Sequence, residues 1–257
     1  MEMFRTIGLA LGVAAASVSL AEQSGRPDDL TLTNFLSGPN NRWAFSHVRE
    51  LIPTVNIPHD PGRLMRLDKS TTVSRDLLLE WRGEKLSLDE IASQQYIDGI
   101  LVLKDGNVVL ENYYGQLKPN RPHVMMLVTK SVVGILAGIL ADKGVIDLSK
   151  SVADYVPALT SSGWGPDSLR TLLDMRDGAD FSEDGSLLLQ DCAVGWSDAD
   201  ACPANGPRGG YEFLMTVDRN EDNLGHFVYK SGSTDVIGWV LEEVTGEPLA
   251  QLISKYI

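Results

Sequence analysis

Acyl transfer without a histidine base can be run by a serine at the start of a helix, a lysine three residues later on the same face, and a tyrosine from a separate loop. The lysine lowers the proton affinity of its neighbours, and the tyrosine phenolate relays the serine proton. Two of those parts are present: Lys130 in Leu127-Val-Thr-Lys-Ser-Val-Val-Gly, and Tyr229 in Phe227-Val-Tyr-Lys-Ser-Gly-Ser-Thr-Asp. The third is missing. The residue three before Lys130 is Leu127, and none of the nine lysines has a serine three positions upstream. Thr129 and Ser131 lie one step from Lys130 and are turned about 100° away around a helix. There is also no Gly-x-Ser-x-Gly elbow and no usable His-Asp-Ser spacing. Without further context, a lone lysine and a lone tyrosine read as a surface and a half-buried residue.

Other residue types narrow the chemistry. The four histidines, His47, His59, His123 and His226, form no metal-ligand spacing, so neither a metal nor another cofactor is expected. Cys192 and Cys202 sit ten apart in a stretch rich in Gly, Asp, Ala and Pro. In an oxidising compartment they would pair, closing a loop worth about 2–3 kcal/mol on the chain-entropy argument. Two free surface thiols are the alternative, and a metal site is poorer because no histidine lies near them in sequence. The acidic stretch from Asp177 to Asp184 reads equally as a cleft lining or a solvated loop. The net charge of −13, with no lysine-arginine cluster to offset it, repels phosphate backbones and anionic lipid surfaces, so nucleic acid is not an expected partner.

The elements that must hold these residues are legible in part. Tyr96 to Tyr114 reads as a hairpin, with Lys104-Asp-Gly-Asn as its turn. From Val128 to Lys143, apolar residues at Val132, Val133, Leu136, Ile139 and Leu140 recur at helical spacing and stop at Gly144, a core helix that would carry Lys130. Shorter helices are expected over Asp147–Leu159, Asp167–Met175 and Tyr211–Val217. Val236–Val244 and Leu249–Tyr256 form a final pair broken by Thr245-Gly-Glu-Pro. No convincing strand follows the hairpin, which leaves a sheet with an unpaired edge.

The N-terminus reads as an export signal over residues 1–21: Arg5, an apolar run from Ile7 to Leu20, and small residues Ser19 and Ala21 at the cleavage point. An uncut anchor is the alternative, since Glu2 weakens the basic flank; after cleavage no stable membrane span is expected. Residues 22–95 read as an N-terminal arm, Pro-, Asn-, Asp- and Gly-rich to about Ser70 and anchored by Trp43, Phe45, Leu51 and Ile57. Residues 96–257 make up the domain. The expected location is periplasmic or extracellular.

Four ordered segments give the pair its context. Tyr-Ile-Asp-Gly-Ile-Leu-Val-Leu-Lys-Asp-Gly (96–106), His123-Val-Met-Met-Leu-Val-Thr-Lys-Ser-Val-Val-Gly, Leu173-Asp-Met-Arg-Asp-Gly-Ala-Asp-Phe-Ser-Glu-Asp and Tyr229-Lys-Ser-Gly-Ser-Thr-Asp-Val-Ile-Gly-Trp-Val-Leu-Glu together resemble the class C β-lactamase-related serine hydrolases, in their 6-aminohexanoate-dimer hydrolase and esterase branch. The resemblance spans about residues 50–257. It implies an α+β, β-lactamase/transpeptidase-like fold, an antiparallel sheet flanked by helices, whose C-terminal strands are missing from this chain. It implies Lys130 as catalytic lysine, Tyr229 as catalytic tyrosine and Ser231 as the substrate-binding third residue of the Tyr-x-Ser element. The family's nucleophilic serine falls on Leu127. The expected function is therefore that of a serine hydrolase of small amides or esters, inactive in this chain. A non-catalytic binder of peptide, amide or cell-wall fragments is the alternative, and a decayed sequence without function a third.

Overall fold

The computed structural model describes residues 25–60, 62, 64–70 and 77–257. The export signal expected over residues 1–21 lies outside them.

Turn chemistry sets the first elements. Strands β1 (Leu78–Trp81) and β2 (Glu84–Ser87) pair antiparallel around Arg82-Gly83, both at positive φ (52° and 85°). Positive φ at both central residues gives a turn twist that matches the strands it joins. Helix α2 (Leu88–Gln94) follows at once, opened by a capping box: Ser87 Oγ accepts from Glu90 N at 3.2 Å, and Ser87 N donates to Glu90 Oε2 at 2.8 Å. A second hairpin, β3 (Gly99–Lys104) and β4 (Asn107–Tyr113), turns at Asp105-Gly106, again both at positive φ. Its inner edge gains a short parallel bridge between Lys69 and Val108. Among the described residues β3 has no partner on its other side, and Leu101, Val102 and Leu103 are exposed there.

The core belongs to the helices. In α3 (Thr129–Asp142), Val133, Leu136, Ala137 and Leu140 form the buried stripe, and Gly144, at φ 70°, closes the helix as its left-handed cap. They pack with Val236, Ile237, Val240 and Leu241 of α7 (Ser231–Thr245), with Leu169 and Leu172 of α4 (Leu169–Leu173), and with Leu252 of α8 (Leu249–Tyr256). Phe213 and Leu214 of α6 (Gly210–Thr216) join the same cluster. The segment expected as a helix over Asp147–Leu159 is instead two single 3-10 turns, Val152–Asp154 and Pro157–Leu159. Ser151 caps the first, and Pro157, which lacks an N–H, opens the second.

The arm does more than wrap. Its short helix α1 (Asn41–Ala44) buries Trp43 and Ala44 in a second cluster with Leu30 and Phe35, to which Phe45, Leu51 and Trp196 add. Ile57, expected as an anchor, is exposed instead, because residues 53–60 carry no buried contact face. Residues 78–94, read as arm, hold the first hairpin and α2. Helix α5 (Leu187–Val194), read as loop, carries Cys192, which is bonded to Cys202 with their Cα atoms 5.6 Å apart. Between them Asp198 clamps the arm, its carboxylate accepting from Leu32 N at 3.1 Å and Thr33 N at 2.9 Å. Reducing this bond should lower stability by about 2–3 kcal/mol, since the closed loop is short. Thermal melts with and without a dithiol check it, and superimposable curves would show that the bond contributes nothing.

Candidate active site

Lys130 is held on the first turn of α3 by the buried stripe behind it. Leu127 lies one turn earlier, in the 3-10 turn Met126–Val128. Met126 there has φ 45°, a left-handed conformation that costs an L-residue on the order of 1–2 kcal/mol. The leucine side chain is 54% exposed and faces a cleft rather than the core.

Tyr229 arrives on a loop fixed from beneath. Val228 N donates to Met175 O at 3.0 Å and Gly225 N to Arg176 O at 2.8 Å. The next residue, Lys230, is fully buried, and its Nζ donates to Asp177 O (2.6 Å), Asp177 Oδ1 (2.9 Å) and Ala179 O (2.9 Å), which uses all three ammonium hydrogens. Asp177 Oδ2 accepts from Ser233 Oγ at 2.8 Å, and that oxygen accepts from Trp164 Nε1 at 3.3 Å. Gly232 packs on the same indole, where an added Cβ would lie 2.9 Å from the ring. The result places the Tyr229 ring centroid 5.8 Å from Lys130 Nζ, within cation–π range. Burial, and then the charge of Glu183, push the Tyr229 phenol above its ordinary range, so this environment favours the phenol over the phenolate.

Ser231 N donates to Glu183 Oε1 at 2.7 Å and Ser231 Oγ to Glu183 Oε2 at 3.1 Å. Leu127, Thr129, Lys130, Glu183 and Ser231 all face a cleft of about 600 Å³, large enough for a small organic molecule. Trp196, Tyr211 and Trp239 supply its aromatic surface; the last two are stacked with centroids 4.1 Å apart, and Tyr211 hydrogen-bonds Glu242. Among the described residues, four carboxylates, Glu183, Asp191, Asp235 and Glu242, face the cleft against the single cation Lys130. Burial, then the nearby Glu183, push the Asp191 carboxyl up to about 6. Asp235, bonded by Gln190 Nε2, is likewise held above the usual carboxylate range by desolvation, although Lys130 opposes the shift. Lys130 also lines a smaller hollow of about 260 Å³, with Ser131, Gly134, Leu172, Met175, Thr234 and Ile237; Lys130, Val133 and Thr234 line both spaces.

The sequence-derived set thus converges: Leu127, Lys130 and Ser231 face one cleft, with Tyr229 against the lysine. Thr129, expected to turn away, also lines it. Of the acidic stretch Asp177–Asp184, Glu183 lines the cleft and Asp177 is buried, whereas Asp191, Asp235 and Lys230 were not legible as site residues. The one available signal was Leu187-Leu-Leu running to Gly195, a helix with a left-handed cap (φ 78°), which would have put Asp191 on an ordered element. Among the described residues no group of acidic, histidine and cysteine side chains could hold a metal, and no helix is long and apolar enough to cross a membrane.

The 6-aminohexanoate-dimer hydrolase of Paenarthrobacter ureafaciens is 33% identical over 234 residues, covering 88% of this chain and 57% of its own length. A Bacillus anthracis structure described as a candidate 6-aminohexanoate-dimer hydrolase superposes with a TM-score of 0.81 at 24% identity, covering 89% of this chain and 61% of that one. The chain therefore spans somewhat over half the length of these relatives, and the second shares its β-lactamase/transpeptidase-like α+β fold. The beta-lactamase family profile matches residues 90–257, and with well over half of its residues inside that match, the chain belongs to the beta-lactamase family.

Proposed function

We propose that this is a serine-hydrolase relative that keeps the cleft for a small amide or ester but has no acyl-enzyme chemistry of its own. The observation that carries this is the pairing of an intact surround with a missing atom: Lys130, Tyr229 and Ser231 are held by specific contacts, while the position one turn before the lysine carries a leucine side chain. A hydroxyl in line with Lys130 is what an acyl-enzyme needs. Removing the serine of subtilisin, another serine hydrolase, costs about 10⁶ in turnover, leaving only binding and oxyanion effects. Incubation with a serine-directed phosphonate tests the reading; covalent adduct at Thr129 or Ser131 would overturn it.

A binding role without turnover is favoured by the cleft itself. Leu127 adds apolar surface to a wall that already has Trp196, Tyr211 and Trp239. The excess of carboxylates favours a ligand carrying an ammonium group, and the 6-aminohexanoate dimer in the relative's name is an amide of that kind. The Cys192–Cys202 bond supports an exported protein.

Asp191 gives this reading a pH signature. Its carboxyl titrates near 6 instead of at the ordinary 3.8, so the folded state favours the protonated form. The resulting stabilisation is fully present below the unfolded value and is lost as pH rises through about 6. A bound ammonium needs the ionised form, so its affinity should rise over the same interval. Titration calorimetry with butylamine from about pH 5 to 7 should show affinity increasing while the ligand-free protein loses stability. Parallel trends would refute the assignment.

A further inference from the structure

The two spaces beside Lys130 have opposite electrostatics. The larger cleft faces four carboxylates. Among the described residues lining the smaller hollow, Lys130 is the one charged group, and the only other polar side chains are the hydroxyls of Ser131 and Thr234. The remainder, including Leu172, Met175 and Ile237, is apolar. We propose that this hollow is a subsite for a short aliphatic carboxylate, whose oxygens accept from the Lys130 ammonium and a neighbouring hydroxyl while its chain lies on the apolar floor.

Charge and size both select this ligand. An amine would meet Lys130 as a like charge, and a neutral amide would forgo the charge-assisted hydrogen bonds that a carboxylate gains. No carboxylate lines the hollow to repel an acid, whereas in the larger cleft Glu183, Asp191, Asp235 and Glu242 all would. At about 260 Å³ the space is just below the range of ordinary ligand pockets, roughly 300–1,000 Å³, which limits the acid to a few carbons. The inference rests on the proposed function only in taking Lys130 as a ligand-facing cation; it needs neither turnover nor an amine in the larger cleft.

The test is titration calorimetry of the whole chain with sodium butyrate, butyramide and butylamine. Butyrate is expected to bind at least tenfold more tightly than butyramide, and Lys130→Met to abolish that preference. A Cβ added at Gly134, which is itself part of the lining, has no atom within 4 Å, so Gly134→Val should fill the hollow. It should weaken butyrate at least tenfold and leave butylamine unaffected. Equal affinity for butyrate and butyramide overturns the proposal, and so does butyrate binding that survives Gly134→Val, which would put the acid in the larger cleft. If Gly134→Val does not fold, Ser131→Leu, at a residue that lines the hollow and not the larger cleft, takes its place: a severalfold loss of butyrate affinity is expected, and an unchanged affinity overturns the proposal. Failure of butylamine alone to bind would count against the ammonium reading of the larger cleft and leave this subsite standing.

Discussion

Leu127→Ser, made in a protein extended to the length of the relatives, should be labelled at residue 127 by a serine-directed phosphonate and should hydrolyse a nitrophenyl ester. The unsubstituted protein should do neither, a difference of up to about 10⁶ if the serine here matters as much as in subtilisin. The scaffold argument is geometric: position 127 lies one turn before Lys130, and Tyr229 already stands over the lysine. Chemistry of this kind needs preorganised donors at the developing oxyanion as well as a nucleophile. A full-length Leu127→Ser protein that folds but remains unlabelled would refute the reading.

Lys230→Met should strongly destabilise the protein. Both side chains of the Lys230–Asp177 pair are fully buried, and truncating one partner leaves the other as an uncompensated charge, at a cost of about 3–5 kcal/mol. Denaturant unfolding should show the loss, together with weaker ligand binding, because the same lysine fixes the backbone between Tyr229 and Ser231. Replacing both partners with apolar residues should recover much of the stability, since a well-packed apolar pair avoids the desolvation cost of the charges. Ser233 and Trp164, which hang on Asp177, would then be left to reorganise. A single Lys230→Met variant as stable as the parent would refute this expectation.

What could be read from the sequence followed physical signal strength. Helix α3 was legible because Val132, Val133, Leu136, Ile139 and Leu140 repeat at helical spacing and a glycine follows them; of these Val133, Leu136 and Leu140 are buried. The Asp105-Gly106 hairpin carried both apolar strands and a standard turn pair. The Arg82-Gly83 hairpin did not: Leu78-Leu-Glu-Trp and Glu-Lys-Leu-Ser are mostly exposed, so neither strand alternates, and arginine is an uncommon residue at positive φ. Ser87 and Glu90 did spell out the start of α2, a capping signal hidden by the surrounding polar composition. The site divided in the same way. Lys130, Tyr229 and Ser231 stood out through motif resemblance, whereas Asp191 and Asp235 gain their character from enclosure, a property of the folded surface that no local pattern encodes. Lys230 reads as an ordinary charged residue next to a tyrosine; only the fold reveals that Asp177, fifty-three positions away, neutralises it.

The clamp of Asp198 on Leu32 and Thr33 joins residues 166 and 165 positions apart. Contacts so distant along the chain carry a large loop-closure entropy and are favoured only after local structure has shortened the path between them. Helices α3 to α8 lie within residues 129–256 and can condense first around their shared core. The arm then has to return across the finished body to seat Leu36 and Phe35 beside Trp196. One wall of the cleft is thus completed by contacts between segments far apart along the chain. Loosening the arm is therefore expected to open the binding surface while leaving the helical core in place.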